Sequence, residues 1–97
     1  MSAPTISVLM TAYNREEFIA KAIESVLAST FTDFELLIVD DASTDKTVEI
    51  AQTCAAKDSR INVVVNKKNL GQFANRNKAA SYATGTYLKF VDSDDLV

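Results

Sequence analysis
The sequence predicts an α/β fold, a parallel sheet of about four strands with helices on both faces. Three features carry that expectation. Short apolar runs alternate with helical-period segments of about 10 to 14 residues, the spacing of βαβ units with right-handed crossovers. Polar residues gather at the carboxyl ends of the first, second and fourth of these runs. No internal repeat, linker or low-complexity segment interrupts the alternation, so residues 1–97 read as one unit.

The elements follow in order. Residues 6–12 (Ile-Ser-Val-Leu-Met-Thr-Ala) form a mostly apolar run after Pro4, as expected of a strand buried on both faces. Asn14, with Glu17 three residues on, reads as an Asx version of the capping box. The helix behind it carries Phe18, Ile19, Ala22, Ile23, Val26 and Leu27 on one face. Residues 34–39 are the second strand, ending in Asp40-Asp41, and Ser43 or Thr44 caps a second helix with Val48, Ala51 and Ala55 inward. Residues 61–65 are the third strand. Asn69-Leu70-Gly71 supplies turn chemistry before a third helix near residues 72–83, which Gly85 closes close to its C-cap. Residues 87–91 form the fourth strand, and Asp92-Ser93-Asp94-Asp95 follows it.

Composition narrows the function classes. An apolar fraction of 47% is enough for a core, and a chain this size buries about 65% of its unfolded surface. The net charge of −3, with no basic run, argues against a nucleic-acid groove. One cysteine and no histidine exclude a disulfide framework, the common zinc sites and a Ser-His-Asp or Cys-His mechanism within these residues. Cys54, set among Ala51, Ala55 and Ala56, reads as a packed structural thiol. No apolar stretch approaches the ~20 residues that span a bilayer. No signal peptide is read either, so a reduced cytosolic compartment is the default expectation.

In an open parallel sheet, ligands bind outside the carboxyl ends of the strands, where the strand order reverses. If the order is 3-2-1-4, the first and fourth strands flank that point. The polar ends Thr11-Ala12-Tyr13-Asn14, Asp40-Asp41 and Asp92-Ser93-Asp94-Asp95 then share one rim. Five carboxylates gathered there need a cation or hydrogen-bond donors to stay ionised together. Asp94, with Asp92 or Asp95, suits Mg²⁺ or Mn²⁺, which would neutralise a diphosphate. Asp41 is either an acceptor for a base N–H or sugar hydroxyl, or an N-terminal charge favouring the dipole of the second helix. Tyr13 either stacks on a planar ring or packs on the first helix. Arg76, among Asn75, Asn77 and Lys78, either pairs with phosphate or lies on an exposed polar helix face. Gly71 and Gly85 are the only glycines, so no glycine-rich loop cradles phosphate.

Four segments in order give the chain a resemblance. They are Ile6-Ser7-Val8-Leu9-Met10-Thr11-Ala12-Tyr13-Asn14; Phe31-Thr32-Asp33-Phe34 through Val39-Asp40-Asp41-Ala42-Ser43; Asn69-Leu70-Gly71 with Arg76-Asn77; and Gly85-Thr86-Tyr87 leading to Asp92-Ser93-Asp94-Asp95. In these the chain resembles the nucleotide-sugar-binding half of family 2 glycosyltransferases with the GT-A fold. The resemblance implies that Thr11 and Tyr13 line a nucleobase pocket, that Asp41 hydrogen-bonds the base, and that Arg76 approaches the base or diphosphate. Asp92 and Asp94 match the family's Asp-x-Asp motif, with Asp92 toward the ribose and metal and Asp94 the main ligand of Mn²⁺ or Mg²⁺. The partners it implies are a nucleoside diphosphate-sugar, UDP-sugar favoured, and a sugar acceptor. Members of that family continue beyond this motif into an acceptor-binding half that supplies the general base, so these residues contain no catalytic residue and are expected to bind without efficient transfer.

Two other readings compete. One is a truncated, non-catalytic α/β module acting through protein contacts. The other is a phosphoacceptor receiver domain, whose acids follow the first and third strands rather than the second and fourth. The fourth strand is also expected to expose an apolar edge through residues 87–91, giving marginal stability or self-association.

Overall fold
In a computed structural model describing residues 6–28, 33–83, 85 and 87–92 (backbone alone for residues 72, 73 and 92), the predicted alternation of strand and helix is present. The elements are β1 (Ile6–Ala12), α1 (Ile19–Leu27), β2 (Phe34–Asp40), α2 (Thr47–Lys57), β3 (Ile61–Val65), α3 (Gln72–Ser81) and β4 (Tyr87–Asp92). All strand pairs are parallel and the order is β3-β2-β1-β4, so the α/β class and the 3-2-1-4 order are as expected.

The two-residue strand period divides the core into two layers. Val8, Met10, Ala12, Leu36, Ile38 and Val91 face α1 and α2, where Ile19, Ala22, Ile23, Val26 and Ala51 pack against them. Leu9, Leu37 and Val39 face the opposite way, against Ala79 of α3. β1 and β2 are therefore covered on both sides, which explains why they read as nearly continuous apolar runs.

Several local expectations are corrected. Asn14 does not cap α1. That helix starts at Ile19 behind Phe18, with no side-chain cap. Phe18 is exposed rather than inward, because it precedes the first turn. α2 begins at Thr47, so Ser43 and Thr44 lie too early to cap it. α3 stops at Ser81, and its C-cap is Tyr82 rather than Gly85. Gly85 serves a different need. Its N–H donates to Ser7 Oγ at 2.7 Å, and a Cβ there would come within 2.8 Å of Ile6 and closer still to Ser7.

β2 and β4 each run one residue further than expected, because the parallel ladder pairs Ala12 with Asp40 and Thr11 with Asp92. Register thereby overrides the low strand propensity of Asp. Among the described residues, no helix is long and apolar enough to cross a membrane.

Candidate functional site
The carboxyl rim is assembled by register. Thr11 sits between Val39 of β2 and Asp92 of β4, with Tyr13 just beyond. Tyr13 is 44% exposed, so it stands outside the core. Asp94, with Ser93 and Asp95, lies outside the described residues.

Asp40 and Asp41 are both buried, and the strand period sends them to opposite sides. Asp40 accepts hydrogen bonds from the N–H of Ser43, at 2.7 Å, and from its hydroxyl. Asp41 turns toward α3. Its Oδ1 accepts from Leu70 N–H at 2.7 Å and from Asn66 Nδ2 at 3.0 Å, while Oδ2 accepts from Gly71 N–H at 3.0 Å. Separate donors thus let two adjacent carboxylates stay buried.

Of the two roles open to Asp41 in the sequence, service to the second helix is not what this geometry provides. α2 has its own acid: Asp45 accepts from Thr47 N–H at 2.9 Å and from the Thr47 hydroxyl. Burial alone would push the Asp45 carboxyl up, but the bonds from Thr47 and from the Glu16 N–H carry it below its ordinary value. Asp41 instead fixes the loop that enters α3. Gly71, at φ 89°, occupies a backbone region that favours glycine and directs its N–H at the carboxylate.

The loops after β1 and β2 are laced together. Asn14 N–H donates to Ser43 Oγ at 2.9 Å, and Asn14 Oδ1 accepts from Thr44 N–H at 2.8 Å. Arg15 N–H donates to Thr47 Oγ1 at 2.7 Å, and Lys46 N–H donates to Glu16 Oε2 at 3.3 Å. Asn14 (φ 53°) and Ala42 (φ 62°) both take left-handed backbone. For Ala42 that conformation costs about 1 kcal/mol, strain of the kind that persists only where the surrounding structure over-determines it.

Arg76 is half-buried, not spread on an exposed polar face. Its guanidinium lies 4.6 Å above the ring of Phe90, reaching from α3 to β4. Stacking engages the guanidinium face and leaves its N–H edge able to meet an anion. Cys54 is partly buried, and burial pushes its thiol up, as expected of a packed structural cysteine.

Sequence reasoning missed the buried amides behind Asp41. Asn66, just past β3, and Asn75, inside α3, are only 4% and 2% exposed. Asn75 Nδ2 donates to Val39 O at 3.0 Å, and Asn66 Nδ2 donates to Asn75 Oδ1 at 2.7 Å as well as to Asp41. Asn75 stands in a polar run that reads as solvent-facing. The one available signal was that α3 lacks enough apolar residues to dock by hydrophobic contact alone.

A rim of this kind, on a sheet of this order, can be set beside known proteins. Residues 7–97 match the family model described as glycosyl transferase family 2. The putative glycosyltransferase EpsE of Bacillus subtilis is 45% identical over 96 residues, covering 98% of this chain and 34% of its own length. The S. aureus TarS 1-349 structure in complex with UDP-GlcNAc superposes with a TM-score of 0.88 at 35% identity, covering 95% of this chain and 27% of that one. The mannosyltransferase PcManGT of Pyrobaculum calidifontis, in complex with GDP-Man and Mn²⁺, has a TM-score of 0.89 at 24% identity, covering 98% of this chain and 29% of its own, and shares the fold. The chain thus spans about a third of the length of EpsE. The matched model spans nearly the whole sheet and its carboxyl rim, and the chain belongs to glycosyl transferase family 2.

Proposed function
We propose that these residues are the nucleotide-sugar-binding half of an inverting, metal-dependent glycosyltransferase. The observation that carries this is the convergence of Thr11, Tyr13, Asp41 and Asp92 on one rim at the point where the strand order reverses, with Arg76 reaching toward β4 beside it. Tyr13 offers a ring face for a base, Asp41 an anionic acceptor for a base N–H, and Arg76 a guanidinium edge for phosphate. UDP is the favoured nucleotide, in keeping with TarS, which is 35% identical and in complex with UDP-GlcNAc.

The donor set suits a divalent cation. Asp92 and Asp94 supply hard carboxylate oxygens of the type Mg²⁺ and Mn²⁺ take. PcManGT, of the same fold, is in complex with GDP-Man and Mn²⁺. A metal held by Asp92 and Asp94 would act as a Lewis acid toward the departing diphosphate. The matched relatives run well beyond the aligned region. In our reading that remainder supplies the acceptor site and the general base, so these 97 residues bind donor without efficient transfer. The single packed thiol, Cys54, fits a reducing cytoplasmic compartment.

Calorimetric titration tests the reading. UDP should bind more tightly with Mn²⁺ than without, and Asp94→Ala should remove that difference. Metal-independent binding would refute the metal assignment. A folded sample that ignores nucleotides and forms a stable oligomer would favour the non-catalytic module instead.

A further inference from the structure
We propose that Asn66 and Asn75 are positioning residues for nucleotide binding, acting through Asp41. The inference rests on the nucleotide-binding reading above. The two amides form a directed relay whose ends admit one polarity only. Val39 O can only accept, so Asn75 must present Nδ2 to it, at 3.0 Å. Asn75 Oδ1 is then left to accept from Asn66 Nδ2, at 2.7 Å. The second N–H of that same amide reaches Asp41 Oδ1 at 3.0 Å. The orientation of both side chains is thereby set by their partners and not by choice of rotamer.

The relay ties together the parts that would hold a ligand. At one end it fixes which edge of the Asp41 carboxylate is spent. Among the described residues Oδ1 takes two donors and Oδ2 one, so Oδ2 keeps acceptor capacity for a ligand. At the other end it anchors the first turn of α3 to β2, one residue before Arg76. Asn66 is itself pinned by its N–H to Asp40 O at 2.9 Å. The arrangement has a cost that stability alone does not explain. Asn66 Oδ1 is buried and has no donor among the described residues. A buried acceptor left unmatched is unfavourable, and local rules of this kind are broken mainly where function requires it.

The test is a double-mutant cycle read by UDP affinity, using the 97-residue chain, Mn²⁺ and ligand-observed NMR to reach weak binding. Asn66→Ala and Asn75→Ala should each weaken UDP by about tenfold or more, the loss expected when a charge-assisted hydrogen bond is disturbed. In an Asp41→Asn background, neither substitution should weaken it further. A purely structural role would instead give additive losses in both backgrounds and overturn the proposal. The Asn75 side chain hydrogen-bonds Val39 O and Asn66 and reaches Asp41 through Asn66, so its variant keeps the test decisive if Asn66→Ala fails to fold. Wild-type protein that binds no UDP would refute the nucleotide reading, and this inference with it. Wild-type binding with unaffected Asn variants would refute this inference alone.

Discussion

Alanine at Gly85 would probe how closely the segment entering β4 approaches β1. Its Cβ would lie 2.7 Å from both Ser7 N and Ser7 Oγ, and 2.8 Å from the Ile6 carbonyl carbon. Two of these three atoms are backbone atoms of β1, which is hydrogen-bonded to β2 on one side and β4 on the other. Neither neighbour lets the strand retreat alone. Overpacking of a well-filled site costs about 1–3 kcal/mol. The hydrogen bond from Gly85 N–H to Ser7 Oγ would also be strained or lost, adding roughly 0.5–1.5 kcal/mol. The total, about 2–4 kcal/mol, is a large share of the roughly 5–15 kcal/mol that stabilises a domain. Each kcal/mol lowers the Tm of a domain this size by ~4–8 °C, so a fall of roughly 8–30 °C is expected. Far-UV circular dichroism, with heat and with urea, reads both quantities. Gly71→Ala is the internal comparison, because a Cβ there meets nothing within 4 Å and the φ of +89° is the sole obstacle. With ψ at 159° the residue lies in a region essentially reserved for glycine, a strain worth about 1–3 kcal/mol. A Gly85→Ala protein within about 0.5 kcal/mol of wild type would refute the steric argument.

Two further outcomes are expected. Asp58 is held down to about 2 by hydrogen bonds from Arg60, against an ordinary value of 3.8. A depressed folded value means that the pair stabilises the protein above about pH 4 and that this contribution fades as the pH falls toward 2. For a solvent-screened pair it amounts to ~0.5 kcal/mol. Arg60→Ala should flatten the acid limb of the stability curve in that window, and identical urea midpoints at every pH, after a constant offset, would contradict it. At the sheet edge, β4 leaves Tyr87 66% and Leu88 49% exposed. The wild-type chain should self-associate in sedimentation velocity, and Leu88→Lys should return it to a monomer at a cost within about 0.5 kcal/mol. A monomeric wild type at high concentration would refute association through this edge.

Much of the fold was legible because burial periodicity is local. The apolar runs at residues 6–12 and 61–65 match β1 and β3 to the residue. The spacing of helical segments between them required parallel crossovers, hence the class, and the four ordered motifs pointed to the family. The positions of Thr11, Tyr13, Asp41 and Asp92 at strand ends followed from the same reading. Pairings between distant loops were decided only by tertiary structure. Asn14 looked like a helix cap, yet its Oδ1 accepts from Thr44, 30 residues away. Arg76 looked like a surface cation, yet it stacks on Phe90 of β4. Asn75 stood in a polar run and Asn66 drew no role from the sequence, yet both are buried behind Asp41. A side chain announces what it can donate or accept, whereas its partner is selected by which loops the aligned strands bring to the same rim. The sequence by itself therefore determined the sheet and the acids at its edge. The tertiary structure decided what Asp40 and Asp41 hold.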